Sequence, residues 1–139
     1  MSKISLKVVT PERIVFEDSV DSILVNTEMG EIMVLAHHTP IVSLLRAGEM
    51  ILSDNGNETS LAVSTGMIEV RENSQVIVLA DTAERSEELE LEVIEEAKKQ
   101  AQARVEEAEN SHNEEFALAA ANLERELARH KVALKKRHR

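Results

Sequence analysis

At 139 residues and without a cysteine, the chain excludes a disulfide framework and any thiolate metal site. Its net charge of −10 is uneven: residues 1–84 carry −8, residues 85–124 carry −8, and the last 15 residues carry +6. With no Trp or Tyr and two Phe it lacks stacking platforms, so nucleic acid is not an expected partner, and the basic end points to an acidic protein surface.

No apolar signal core opens the chain and no run approaches a membrane span, so membrane contact is expected only through a partner. Residues 4–8 alternate apolar and polar, as a half-buried strand does. The turn Thr10-Pro11-Glu12-Arg13 leads to a second short strand over 14–17, and 20–26 gives a third. Gly30 enters a strand over 30–35. His38-Thr39-Pro40 turns into 41–45, and 48–53 ends at Ser53-Asp54-Asn55-Gly56-Asn57, a strong hairpin turn. Segments 59–63, 67–71 and 75–79 complete the series. Short strands with turns about every 8–12 residues predict a sandwich or barrel.

All four glycines and both prolines precede residue 67. Beyond the break at 81–86 the chain is rich in Ala, Glu, Lys and Leu, which predicts long helix. Ser86 reads as an N-cap, with Glu87, Glu88 and Glu90 at the positive helix end. Leu91, Ile94, Ala97, Ala101, Val105 and Ala108 recur at helical spacing. Residues 110–113 interrupt, and Ser111 with Glu114 reads as a capping box that starts a second helix. Phe116, Ala120, Leu123, Leu127, His130 and Leu134 form its heptad-like seam. The short connection requires antiparallel helices. The expected fold is an N-terminal β-sandwich of about ten short strands, residues 1–84, followed by an antiparallel two-helix hairpin, residues 85–139. Alanine-rich stripes bury little area, so the hairpin is weakly packed and suited to two arrangements.

Candidate chemistry is sparse. His37 and His38 are adjacent and point to opposite faces in a strand, so they do not share a metal readily. His112, His130 and His138 are scattered. Ser64-Thr65-Gly66 lacks a phosphate loop and a following Lys, and reads as a tight turn. The acids lie mostly on a solvated face of the first helix. No nucleophile, base and orienter can be placed together, so an enzyme working alone is not expected.

Three motifs stand in register: Gly30-Glu31-Ile32-Met33-Val34-Leu35-Ala36-His37-His38-Thr39-Pro40, Ser64-Thr65-Gly66-Met67-Ile68-Glu69-Val70, and Val78-Leu79-Ala80-Asp81-Thr82-Ala83. In order and spacing, and with Val8-Val9-Thr10-Pro11 before them, they resemble the epsilon subunits of rotary F-type ATP synthases. That pattern reads G-E-(I/L)-G-(I/V)-x-P-x-H-x-P, then S-G-G-x-x-E-V, then V-L-A-(D)-x-A. Here Met33 and Ala36 replace a usual Gly and Pro, and Thr65 replaces the first Gly of S-G-G.

The resemblance implies a non-catalytic stalk subunit. Its partners would be the gamma subunit, the ring of c subunits and the alpha/beta catalytic head. The loop over 31–38 would meet the ring and gamma, which nominates Glu31, Met33, His37 and His38. In many such proteins the hairpin extends into the head and blocks ATP hydrolysis. The basic end, with Arg125, Arg129, Lys131, Lys135, Lys136 and Arg137, suits an acidic receptor, which the resemblance places on the catalytic beta subunits. The plainer alternative is that these cations complement the helix dipole.

Some such proteins bind ATP on the folded hairpin through (I/L)-D-x-x-R-A and two arginines. The corresponding residues here are Glu92, Arg125 and Arg129, but Glu95 stands where a cation should face phosphate. Weak or absent ATP binding is expected, with no other cofactor and no metal. The implied location is the cytoplasmic face of a bacterial plasma membrane, with a plastid thylakoid as the alternative. The rival reading is a non-enzymatic sandwich-and-hairpin adaptor that binds a coiled coil through the seam of the second helix.

Overall fold

The computed structural model describes residues 2–109 and 113–137. Ten strands come first: β1 Ile4–Val9, β2 Ile14–Val20, β3 Ser22–Thr27, β4 Gly30–Leu35, β5 Ile41–Leu45, β6 Gly48–Asp54, β7 Asn57–Val63, β8 Gly66–Arg71, β9 Gln75–Ala80 and β10 Ala83–Arg85. Helices α1, Leu91–Ala108, and α2, Asn113–Arg137, follow. The sandwich-plus-hairpin expectation holds.

The strands run β10-β7-β6-β3-β5-β8-β9-β1-β2, with β4 on the other side of β3. β3 bridges the two layers. It pairs with β6 over residues 22–24 and with β5 only at Thr27–Leu45. The sheet folds over there and encloses one core. Ile4, Leu6 and Val8 of β1 meet Ile23 and Val25 of β3, Met50 and Leu52 of β6, Leu61 of β7 and Ile68 of β8. Each such fully buried side chain contributes roughly 1.5–3 kcal/mol. Strand alternation puts these residues inward and their neighbours outward.

The Asn55-Gly56 turn has positive φ at both residues, 52° and 82°, as a two-residue hairpin of this kind requires. Two features lay beyond the periodicity. β1 inserts parallel to β9, from Ser5–Gln75 to Val9–Leu79, and β10 pairs with β7 over three residues.

The first helix begins later than predicted. Ser86–Glu88 form a 3-10 turn, and the Ser86 carbonyl accepts the Leu89 N–H at 3.2 Å. Leu89 is then extended and buried, and α1 starts at Leu91 without a side-chain cap on Glu90. Ser86 is therefore not the N-cap. Burying Leu89 against Ala62, Ile94, Val132 and Ala133 overrides the local capping preference. Ser111 of the capping box, His112, His138 and the interruption over 110–113, apart from Asn113 with which α2 begins, lie outside the described residues.

On α1 the predicted stripe stands, with Ile94, Ala101 and Ala108 buried. On α2 the buried positions are Ala119, Glu126, Ala128, Val132 and Ala133. The predicted seam is thus off by one residue: Ala119, Glu126 and Ala133 replace Ala120, Leu127 and Leu134, while Phe116 and Leu127 are exposed. Close helix approach takes the small side chains and turns the large ones out. Ile94 near the start of α1 meets Ala133 near the end of α2, so the helices are antiparallel. It is α2 that packs on β6 and β7.

Candidate docking surfaces

Three surfaces follow from this fold. The first is the outer face of the β5-β8-β9-β1-β2 layer. Register places Leu44 beside Met67, Met67 beside Leu79, Leu79 beside Val9, and Val9 beside Ile14. Every residue in this row is apolar. It crosses five strands, about 19 Å at roughly 4.8 Å per spacing. Leu44, Leu79 and Ile14 are exposed. The next row, Val42, Glu69, Ile77, Lys7 and Glu17, mixes apolar and charged groups. There Lys7 lies 3.5 Å from Glu17, and Glu69 accepts the Arg71 Nε–H at 3.0 Å, which raises the Arg71 pKa. A depression of about 320 Å³, lined by Val9, Pro11 and Leu79 among others, borders the apolar row. An apolar row with a charged rim is the composition of a docking patch.

The second surface is the β3–β4 hairpin with the following loop. Glu31, Met33 and Leu35 share one face of β4 and all are exposed, whereas Val34 is in the core. His37 sits at φ 67°, and its N–H donates to Ser74 Oγ at 2.8 Å. Its Nε2 is 3.1 Å from Ser2 Oγ. His38 donates its N–H to the Leu35 carbonyl at 3.1 Å, and its Nδ1 is 2.6 Å from the Thr39 carbonyl oxygen. The two imidazoles therefore bond different partners. Of the four nominated residues, Glu31 and Met33 have no side-chain partner among the described residues, while His37 and His38 bond to Ser74, Ser2 and Thr39.

The third is the basic stretch of α2, where three cations meet carboxylates of the same chain. Arg129 Nη1 donates to Glu126 Oε2 at 2.8 Å, and its Nη2 donates to Glu84 Oε2 on β10 at 3.2 Å. Its Nε lies 2.7 Å from Glu84 Oε1 but is not aimed well enough to bond it. Arg125 Nε donates to Glu126 Oε1 at 3.3 Å. Lys135 Nζ lies 3.0 Å from Oε1 of the buried Glu49 on β6, whose Oε2 has no partner among the described residues. His130 Nε2 is 3.6 Å from Glu95 of α1. Lys131 lines a cleft of about 570 Å³ between α2 and the β5–β6 turn, together with Arg46. Lys136 lies within α2.

Three of the six cations nominated for an external acid, Arg125, Arg129 and Lys135, are thus paired within the chain. Glu92 is exposed at the start of α1 and is not among the partners of Arg125 or Arg129, so the three nominated nucleotide residues are not brought together by contact. Of the α2 seam nominated for an adaptor, Phe116 and Leu127 are exposed, and the face that α1 and the sandwich cover lies one residue away.

Sequence reasoning missed the apolar row and the acids Glu49, Glu84 and Glu126. The row has a trace: 76–79 is apolar on both strand faces, more than a half-buried strand needs. Glu126 has one too, as the only acid in the basic last 15 residues.

A sandwich with an apolar outer row, a projecting edge hairpin and a helical pair latched to its side belongs to the class of subunits that dock through their faces. The family described as ATP synthase, Delta/Epsilon chain, beta-sandwich domain, matches residues 3–86. The ATP synthase epsilon chain of Dehalococcoides mccartyi is 41% identical over 143 residues, covering 99% of this chain and 96% of that one. That of Chloroflexus aggregans is 41% identical over 130 residues, covering 94% and 91%. Among solved structures, a chain of the Euglena gracilis mitochondrial ATP synthase has a TM-score of 0.77 at 20% identity, covering 100% of this chain and 83% of that one. A chain of the Tetrahymena thermophila mitochondrial ATP synthase central stalk and c-ring gives 0.57 at 12%, covering 96% and 99%. The chain belongs to the ATP synthase epsilon chain family.

Proposed function

We propose that the chain is a non-catalytic subunit of the central stalk of a rotary ATP synthase. It seats its sandwich on the gamma subunit and its β3–β4 hairpin on the c-ring, at the cytoplasmic face of a bacterial plasma membrane. The observation that carries the reading is the five-strand apolar row from Leu44 to Ile14, because a monomer gains nothing by leaving it in water. The resemblance to the stalk chains above supports it. Torque passes through this contact, so the contact must be broad and stiff, and a sheet face is both.

Replacing the exposed Leu79 with Asp tests this. Folding stability should change by about 0.5 kcal/mol or less, since the side chain is outside the core. Affinity for gamma should fall about tenfold or more, because a desolvated carboxylate would face an apolar surface. Unchanged affinity, measured by titration, would remove the row from the interface.

The folded hairpin is the resting state, and its extension into the catalytic head is the inhibitory one. The cations that would dock there, Arg125, Arg129 and Lys135, are paired with Glu126, Glu84 and Glu49 while the hairpin is folded. The same pairing weakens nucleotide binding, since both arginines already hold a carboxylate. Isothermal titration with ATP should give no saturation below about 1 mM, a binding energy of about 4 kcal/mol. Micromolar affinity would contradict this.

A further inference from the structure

β4 is an edge strand whose only strand partner among the described residues is β3. Two residues, Glu28 and Met29, join β3 to β4, and Thr27 faces Gly30 across the turn. Such a hairpin closes on a hydrogen-bonded pair, and bonded and non-bonded pairs then alternate. Val25–Ile32 and Ile23–Val34 are therefore bonded pairs, whereas Asn26–Glu31, Leu24–Met33 and Ser22–Leu35 are not. Asn26 fixes the phase independently: its carbonyl accepts the Arg46 N–H at 3.0 Å on the far side of β3. On β4 the same phase aims the main-chain N–H and C=O of Glu31, Met33 and Leu35 out of the sheet. The Leu35 carbonyl is taken by His38. Among the described residues the outward groups of Glu31 and Met33 have no partner.

Exposed edges are normally blunted by Lys, Pro, a bulge or a covering element. β4, Gly-Glu-Ile-Met-Val-Leu, has no Lys or Pro, and its register with β3 is unbroken. Met33 and Leu35 beside the edge are 54% and 53% exposed. Met33 stands where the epsilon-subunit motif has Gly, and this departure leaves the strand better able to pair.

We propose that the outer edge of β4 takes up an extended segment of a partner protein as an added strand, bonded through the main-chain groups of Glu31 and Met33. This rests on the reading that the hairpin meets another subunit of the ATP synthase, and it specifies how. The segment carries an apolar residue beside Met33 and a Lys or Arg opposite Glu31, whose carboxylate has no ion-pair partner among the described residues. A second copy of this chain is the poorer occupant, because two chains of net charge −10 repel.

The test compares Met33→Pro with Met33→Ala in the full chain, titrated onto ATP synthase depleted of this subunit. Proline removes an N–H that the free fold does not use, and alanine keeps it. Met33→Pro should bind at least about tenfold more weakly than Met33→Ala, with both melting within about 3 °C of each other. Equal affinities would overturn the proposal. Should Met33→Pro fail to fold, amide exchange on the unmodified chain decides. The Glu31 and Met33 amides should exchange fast when free and about 100-fold more slowly in the complex. Fast exchange of both in an assembled complex would overturn strand addition and leave the subunit reading intact. Failure of the unmodified chain to bind at all would overturn that reading itself. Concentration-dependent dimerisation abolished by Met33→Pro would assign the edge to a second copy and overturn the proposed occupant.

Discussion

Replacing Arg129 with alanine is expected to loosen the helical hairpin on the sandwich while the sandwich stays folded. The Glu126 side chain is 4% exposed and that of Arg129 22%. Without Arg129, Glu126 would keep only Arg125, whose side chain is 40% exposed. Breaking a buried pair from one side costs about 3–5 kcal/mol, and the partial exposure of Arg129 and Glu84 lowers that to about 2 kcal/mol here. The rest of the contact is apolar, with Leu89, Ile94 and Val132 buried beside Ala62 and Ala133, and Lys135 lies 3.0 Å from Glu49, so the variant should open more often rather than lose the folded hairpin. Amide exchange in α2 should accelerate roughly 30-fold, the equivalent of about 2 kcal/mol, with β3 and β6 unaffected. Changing Arg129 and Glu126 together to leucine should restore part of the protection, because the buried Glu126 carboxylate is gone and only the part-exposed Glu84 loses its partner. Unaltered exchange in α2 of the alanine variant would contradict the latch.

Gly66→Ala should damage the sandwich itself. A Cβ at this position would lie 2.0 Å from the Leu79 carbonyl oxygen and 2.8 Å from Ala80 Cα. Both are backbone atoms of β9, so no side chain can swing away. Gly66 also pairs with Leu45, so it ties β8 to β5 and β9 at once. Relief requires parting the layer where the apolar row crosses it. The cost should reach the top of the overpacking range, about 3 kcal/mol. For a domain of this size that lowers Tm by about 15 °C. Gly48→Ala is the control, because its Cβ would meet the Asn26 side chain, which can move. A Gly66→Ala protein melting within about 3 °C of the parent would contradict the argument.

What was legible in the sequence was local. Turn-formers delimited the strands, and Asn55-Gly56 announced its own backbone geometry. The pairing of β1 with β9 was not legible, because it joins residues about 70 apart and leaves no periodic trace. β10 is too short to alternate. On α2 the largest apolar residues drew the seam to Leu127, but close packing selected Ala119 and Ala133 one step away. The loop over 31–38 could be nominated from its motif. The row from Leu44 to Ile14 could not, because it exists only once four registers are known. The acids that hold the basic end were hidden for the same reason: Glu49 and Glu84 approach α2 only after the sheet has folded.

The most direct test of the stalk assignment is size-exclusion chromatography of the full chain with the gamma subunit of the same ATP synthase, at micromolar concentration. A stable one-to-one complex, lost with Leu79→Asp, is the predicted result. Separate elution of two folded proteins would contradict the assignment.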